Sequence, residues 1–157
     1  MTTHLSDSKV QRDIEKEILA ELEENHPNWQ RVDLLALPAA KELAKKVKPD
    51  AVWKDENGII IIAECYVRIG KLKPGHRRKI ATDILKLISL TDELGEENSM
   101  HLLLLVPEEL GTQLEGNDWL SLVIKKRIEL VKVHLNDEQH LILQDAVKRQ
   151  AAGQAHS

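Results

Sequence analysis

Residues 59–67 constrain the fold of this chain more strongly than any other segment. The run from Ile59 to Val67 holds four isoleucines together with alanine, cysteine, tyrosine and valine, and Glu64 is its only charged residue. A strand that is apolar on both faces must be covered by other elements on both sides. The segment therefore predicts the central strand of a sheet packed between helices, with one carboxylate inside that strand.

The segments around this strand alternate between helical and extended patterns. An apolar residue at every fourth position predicts a first helix over residues 7–25, capped by Ser6 or Asp7. A turn at 56–58 joins a predicted strand at 50–55 to the central one. The other predicted elements are helices over 38–47, 76–94, 119–126 and 137–150, a helix opened by Pro107, and strands over 101–106 and 128–135. This order predicts an α/β fold in which helices sandwich a mixed sheet.

Length and composition place this pattern in one domain. A chain of 157 residues can bury one core, and with no phenylalanine that core must be aliphatic. We expect residues 1–150 to form the domain and residues 151–157 to form a disordered tail. Cys65 is the only cysteine, which excludes an internal disulfide, and no apolar stretch or leader sequence predicts a membrane partner. The sequence therefore predicts a cytoplasmic protein.

Two carboxylates are placed where strands should bring them together. Asp50 begins the strand before the central one, and Glu64 lies near the end of the central strand. Adjacent strands lie about 5 Å apart, so both side chains could converge on one hard cation such as Mg²⁺. The alternative is that Glu64 only marks where the strand leaves the core. A metal or a partner is the stronger interpretation, because an isolated carboxylate in an apolar run is costly.

A basic segment follows the central strand directly. Between Cys65 and Thr82 there is no acidic residue, and six cations stand there: Arg68, Lys71, Lys73, Arg77, Arg78 and Lys79. The last three occupy the first turn of a predicted helix, where the helix dipole disfavours positive charge. Because the net charge is -4, this local concentration predicts a surface for a phosphate backbone. The alternative is a solvated loop paired with the acidic segment 92–97.

These features together resemble the PD-(D/E)xK nuclease superfamily over roughly residues 12–135. Pro49-Asp50 at a strand start, a hairpin into a strand ending in Glu64, and a basic helix carry the resemblance. A prokaryotic group with a Glu-x-Tyr variant of the motif is also similar. The resemblance implies a restriction-endonuclease-like three-layer α/β/α fold. It implies Mg²⁺ or Mn²⁺ held by Asp50, Glu64 and the carbonyl of Cys65, with Glu17 or Glu21 as an auxiliary acid.

The chain departs from the family at the position of its lysine. Two residues after Glu64 stands Tyr66, whose phenol has an ordinary pKa near 10 and offers no positive charge. Some family members recruit a lysine from elsewhere, so the resemblance implies Lys73 or Lys79 as the catalytic substitute, with Arg68 a weaker candidate. The predicted nucleic-acid contacts are Arg68, Lys71, Lys73, Arg77 and Arg78.

Three functions are consistent with these residues. The first is a metal-dependent nuclease that hydrolyses DNA phosphodiester bonds, either alone or as a homodimer. The second is a non-catalytic nucleic-acid or protein-binding module on a degenerate nuclease fold, which Tyr66 favours. The third is a regulatory or toxin–immunity partner whose target the sequence does not disclose.

Overall fold

The computed structural model describes the backbone of residues 2–95 and 99–155 and the side chains of residues 9–95 and 99–152. In chain order the helices are α1 (Thr2–Asn25), α2 (Glu42–Lys46), α3 (Pro74–Leu94), α4 (Glu108–Gln113), α5 (Trp119–Arg127) and α6 (Asp137–Ala155). The strands are β1 (Gln30–Arg31), β2 (Ala51–Lys54), β3 (Ile60–Cys65), β4 (Met100–Pro107) and β5 (Glu129–Val133). The fold is therefore α/β, as predicted.

The five strands form one mixed sheet in the order β1-β2-β3-β4-β5. The pairs β1–β2 and β2–β3 are antiparallel, whereas β3–β4 and β4–β5 are parallel. Strand β3 has two strands on each side, which confirms the prediction that residues 59–67 form the centre of the sheet. The antiparallel half presents the end of β3 beside the start of β2.

Helices cover both faces of this sheet. On one face, Ile60 and Ile62 of β3 belong to a core that includes Ile84 and Leu87 of α3. On the other face, the alternate β3 residues pack with α1 and α6 in a second core containing Ile61, Ala63, Cys65, Ile14, Ile18 and Leu143. This arrangement is compatible with a three-layer α/β/α architecture. No helix in the described part of the chain is long and apolar enough to cross a bilayer.

The region between α1 and β2 differs from the prediction of one helix over 38–47. A 3₁₀ helix spans Leu34–Ala36, and α2 has only five residues. Ala39 has a positive φ of 66°, which interrupts helical geometry. The carboxylate of Glu93, on α3, accepts hydrogen bonds from the backbone N–H groups of Lys41, Leu43 and Ala44 at 3.1, 2.8 and 2.8 Å. A contact some fifty residues distant thus fixes where α2 begins, and no local pattern reports it.

The two terminal helices are longer than predicted. Helix α1 begins at Thr2, so Ser6 and Asp7 lie inside the helix instead of capping it. Helix α6 continues to Ala155, so residues 151–155 are helical instead of a disordered tail, and residues 156–157 lie outside the described residues. The extension has a simple cause, because Ala and Gln are good helix formers and no Gly-Pro signal stops the helix before Gly153. The two-residue strand β1 was not predicted, since it is too short to show an alternating pattern.

Candidate functional site: a cleft lined by carboxylates and lysines

Asp50 and Glu64 lie side by side at one edge of the β2–β3 hairpin. Ala51 pairs with Ala63 in the antiparallel register, and continuing that register by one residue sets Asp50 opposite Glu64. Side chains directly opposite each other on such strands have Cβ atoms about 4.5–5.5 Å apart. Asp50 Oδ2 also accepts the backbone N–H of Cys65 at 2.7 Å, which fixes the carboxylate against the end of β3. The structure therefore brings the two predicted metal ligands together.

A cleft of about 450 Å³ opens over this pair. Two further carboxylates, Glu15 of α1 and Asp83 of α3, line it together with Asp50 and Glu64. The cations that line it come from three segments of the chain and are Lys46, Lys48, Arg68, Lys79 and Lys86. Acidic groups and lysines thus share one concave surface, which is how phosphate and a divalent cation are bound together in phosphoryl-transfer sites.

Helix α3 supplies one wall of the cleft through a single stripe. His76, Lys79, Asp83 and Lys86 all line the cleft and follow one another at spacings of three and four residues. Residues at such spacings share one helix face. The next stripe, with Ile80, Ile84 and Leu87, is buried against the sheet. Burial of that apolar stripe fixes the rotation of α3, and the rotation points the polar stripe into the cleft.

The carboxylates raise one another's pKa values. Burial raises the pKa of Glu64 to about 9, assisted by a hydrogen bond to Asp50 and by the nearby charges of Asp50, Asp83 and Glu15. Burial and the charge of Asp50 raise the pKa of Glu15 to about 7, against the opposing effects of Lys79 and Arg12. Burial also raises the pKa of Asp83 above its ordinary value. Glu64 is therefore protonated near neutral pH and hydrogen-bonds to Asp50.

The position of the family's lysine is occupied by a partly buried phenol. Tyr66 lines the cleft but packs against the core on the α3 side, and its backbone N–H donates to the Leu105 carbonyl at 2.9 Å. Burial raises its pKa above the ordinary value, with Arg68 opposing. The Tyr66 side chain is therefore neutral and supplies no cation to the cleft.

The loop between β3 and α3 is held in place by one amide side chain. Gln113 of α4 accepts the backbone N–H of Leu72 at 2.8 Å and donates to the Gly70 carbonyl at 3.0 Å. Gly70 has a φ of 90°, a conformation that side-chain-bearing residues rarely adopt. The clamp fixes the path of the chain from Arg68, at the cleft, to the first turn of α3.

His76 faces the cleft in a defined protonation state. Its Nδ1 accepts the backbone N–H of Lys73 at 3.0 Å, so the ring proton of the neutral form stands on Nε2. Burial lowers the pKa of His76, and the charges of Arg68 and Lys73 lower it further. The imidazole is therefore a neutral hydrogen-bond donor at physiological pH.

The structure separates the predicted site residues into three groups. Four of them line the cleft, namely Asp50, Glu64, Arg68 and Lys79. The Cys65 backbone contacts Asp50. Lys71 and Lys73 are exposed and do not line the cleft. Arg77 and Arg78 lie on the other side of α3: Arg77 contacts the Gln113 carbonyl and Asp118, at 3.4 and 3.7 Å. Within the acidic segment 92–97, Glu93 accepts hydrogen bonds from the backbone of α2 and does not pair with these cations. Residues 96–98 lie outside the described residues.

The glutamate that α1 contributes to the cleft is Glu15, a correction to the prediction of Glu17 or Glu21. Glu17 accepts a hydrogen bond from Gln139 of α6 at 2.6 Å, and Glu21 is exposed outside the cleft. At about 100° per residue, Glu15 and Glu17 lie roughly 80° to either side of the stripe of Ile14 and Ile18. Which of these two glutamates faces the cleft depends on the direction in which α1 crosses the sheet, and the sequence does not give that direction.

Other cleft residues carried a weaker signal in the sequence. Asp83 and Lys86 share a helix face with Lys79, a spacing that also describes ordinary surface ion pairs. Lys48 immediately precedes Pro49-Asp50, and Lys46 stands two residues before Lys48. The cleft position of these lysines follows from where α2 ends, which agrees with the predicted end near residue 47, although the helix begins later than predicted.

The raised pKa values predict that the protein becomes less stable as pH rises above neutrality. Folded Glu64 holds its proton up to about pH 9, whereas an unfolded glutamate releases it near 4.5. Stability from this group is therefore complete below pH 4.5 and is lost progressively as the pH rises to about 9. Urea unfolding at pH 7.0 and 8.5 in EDTA should show this loss, and Glu64→Gln should reduce it. Glu21→Gln, an exposed control on α1, should leave it unchanged; equal pH dependence in all three proteins would contradict the raised pKa of Glu64.

Any metal ion in the cleft would be held by a pair of protein side chains. Among the residues that the structure describes, no group of three or more His, Cys, Asp or Glu side chains converges closely enough to hold a metal ion. Mg²⁺ does not require such a group, since it is usually held by one or two carboxylates with water and substrate phosphate completing its shell. Asp50 and Glu64 fit that donor set, because their carboxylates lie opposite each other on adjacent chain segments and both line the cleft.

No protein-family model, curated protein or solved structure matches the chain. Inference about function therefore depends on the cleft itself. Its defining elements are a carboxylate pair on adjacent strands, one more carboxylate from each of two flanking helices, and the cations around them.

Proposed function

We propose that the protein is a metal-dependent nuclease that hydrolyses DNA phosphodiester bonds in this cleft. The observation that carries the proposal is the adjacency of Asp50 and Glu64 on neighbouring strands, in a cleft lined by four lysines. Carboxylates so close to one another are costly in the folded state, and natural sites keep such strain where it serves a function. A divalent cation would remove that cost by replacing the proton.

Asp50 and Glu64 would hold the cation, with the backbone carbonyl of Cys65 as a further ligand. Mg²⁺ or Mn²⁺ bound there would polarise the scissile phosphate and acidify a water molecule. Because ligands must be deprotonated, binding near neutral pH should release the proton of Glu64. Glu15, whose pKa of about 7 lets it exchange a proton near neutrality, faces the same space and is suited to orienting or deprotonating the attacking water.

Lys79 is the residue of this chain best placed to act for the absent lysine of the motif. It lies on the cleft-facing stripe of α3, and its charge lowers the pKa values of Glu15 and Asp83. A fixed cation beside the reacting phosphate stabilises the negative charge that grows on the phosphoryl oxygens. Lys73 lies outside the cleft, at the N-terminal cap of α3. His76, with its proton on Nε2, can donate a hydrogen bond to a phosphate oxygen.

The order of helices and strands supports a restriction-endonuclease-like fold as part of this proposal. A helix, an antiparallel hairpin carrying both acidic ligands, a helix with the auxiliary lysine and a parallel strand follow in the order α1-β2-β3-α3-β4. That order resembles the restriction-endonuclease-like fold. The alternative, a binding module on the same fold, is favoured by Tyr66 alone.

The test is an assay of the unmodified protein on supercoiled plasmid, single-stranded DNA and RNA in Mg²⁺, Mn²⁺ or EDTA. We expect nicking or shortening of DNA in metal and none in EDTA. Calorimetry at pH 7.5 in buffers of different ionisation enthalpy should show release of about one proton on Mn²⁺ binding. A folded protein that cleaves no nucleic acid in either metal would overturn the nuclease. Salt-dependent DNA binding that survives loss of Asp50 and Glu64 would then establish the binding module.

A further inference from the structure

A second surface lies on the other side of α3 from the cleft. A groove of about 690 Å³ runs between α3 and α5 and is lined by Pro74, Arg77, Arg78, Ala81 and Trp119, among others. Trp119 is 69% exposed, the largest value among the exposed large hydrophobic side chains of the described residues. An exposed indole at a groove costs solvation free energy and commonly marks a binding surface.

The indole is held at the groove by the start of α5. Asp118 caps this helix by accepting the backbone N–H and the hydroxyl of Ser121 at 3.1 and 3.0 Å, and Trp119 is the first helical residue. Arg77 contacts the same Asp118 carboxylate at 3.7 Å and the Gln113 carbonyl at 3.4 Å. Trp119 is therefore presented by a braced segment. Within the described residues no ring or guanidinium is stacked on it.

The charge of the groove favours an anionic ligand. Asp118 is the only carboxylate among its lining residues, and it is already engaged by Ser121 and Arg77. Arg78 is exposed and has no carboxylate partner in the part of the chain that the structure describes. One free guanidinium beside one free aromatic face matches a nucleotide, since the base can stack and the phosphate can pair. An apolar peptide would use the indole and leave Arg78 without a role.

We propose that Trp119 and Arg78 form a stacking site for an unpaired nucleotide of a single-stranded segment. The inference rests on the proposed function and names the form of its substrate, a nucleic acid with a single-stranded end or tail. A helix with its side chains is about 10–12 Å across, so the groove and the cleft on opposite sides of α3 are separated by about three nucleotides of a stacked strand at 3.4 Å each. A strand passing over the N-terminal end of α3 would contact both surfaces.

The test measures binding of a fluorescent oligothymidylate of about twelve nucleotides in EDTA, where no cleavage can occur. Trp119→Ala should weaken binding about 5- to 150-fold, and Trp119→Tyr, which retains a stacking face, should remain within about threefold of the unmodified protein. Arg78→Ala should lower the slope of log affinity against log salt by about 0.7. Leu141→Ala removes another exposed apolar side chain, on α6, and is the matched control that should bind as the unmodified protein does. A blunt duplex should bind with no dependence on Trp119.

The remaining outcomes separate the stacking site from the proposed nuclease. Unchanged oligothymidylate binding by Trp119→Ala, or an equal loss for Trp119→Ala and Trp119→Tyr, would overturn it. A Trp119→Ala protein that binds normally but loses self-association in sedimentation would assign the surface to a second copy of the chain. Failure of cleavage in metal would leave the binding result standing, since the measurement contains no metal. Cleavage with no dependence of binding on Trp119 would retain the nuclease and remove this site.

Discussion

Asp50→Asn and Glu64→Gln are each expected to lower the rate of DNA cleavage by about 10³-fold or more, which corresponds to about 4 kcal/mol of transition-state stabilisation. Both substitutions keep the shape of the side chain, and asparagine can still accept the Cys65 N–H that Asp50 accepts at 2.7 Å. What they remove is the negative charge that would hold the cation. Single-turnover cleavage of plasmid and Mn²⁺ calorimetry measure the two losses separately.

Matched controls for this result stand on α1. Glu17→Gln and Glu21→Gln make the same chemical change outside the cleft and should cleave at the unmodified rate. Glu15→Gln should give an intermediate loss with metal binding retained, because Glu15 faces the cleft without pairing to Asp50. Wild-type cleavage by Asp50→Asn would show that the carboxylate pair is not the metal site.

Lys79→Met is expected to lower the cleavage rate by about 10²- to 10³-fold while Mn²⁺ affinity is retained. Methionine keeps much of the length of the lysine stem and removes the charge beside Glu15 and Asp83. The folded protein should tolerate the change, since Lys79 is exposed and α3 is anchored by its buried stripe of Ile80, Ile84 and Leu87. Single-turnover rates at saturating metal isolate this effect from metal binding.

Lys73→Met provides the comparison, because Lys73 is the other lysine that the sequence allowed in this role. Its side chain is exposed and outside the cleft, so its loss should change cleavage less than about threefold, in line with one surface phosphate contact. The reverse pattern, in which Lys73→Met is inactive and Lys79→Met is active, would mean that the loop after β3 rearranges around the substrate.

The centre of this fold was predictable because its signal is local and strong. Nine consecutive residues with a single charge specify a strand buried on both faces, and a turn before them specifies an antiparallel partner. From those two facts the proximity of Asp50 and Glu64 follows without further information, since register alone places them opposite each other. Strand β3 is central in the sheet as that pattern requires.

The periphery of the site was not predictable because it depends on how helices are oriented. Glu15 and Glu17 lie symmetrically about the same apolar stripe, and only the packing direction of α1 selects Glu15 for the cleft. The basic segment was read as one surface, yet the rotation of α3 divides it. Lys79 faces the cleft, whereas Arg77 and Arg78 face the groove beside Trp119.

The capping of α2 by Glu93 has a consequence for the kinetics of access to the cleft. A five-residue helix has no stability of its own. Helix α2 therefore persists through its apolar contacts and the three hydrogen bonds that backbone N–H groups at its start donate to the Glu93 carboxylate of α3. Local unfolding proceeds through such weakly supported units first. The segment carrying Lys46 and Lys48 is therefore expected to open at a lower free-energy cost than the β2–β3 hairpin that carries the carboxylates.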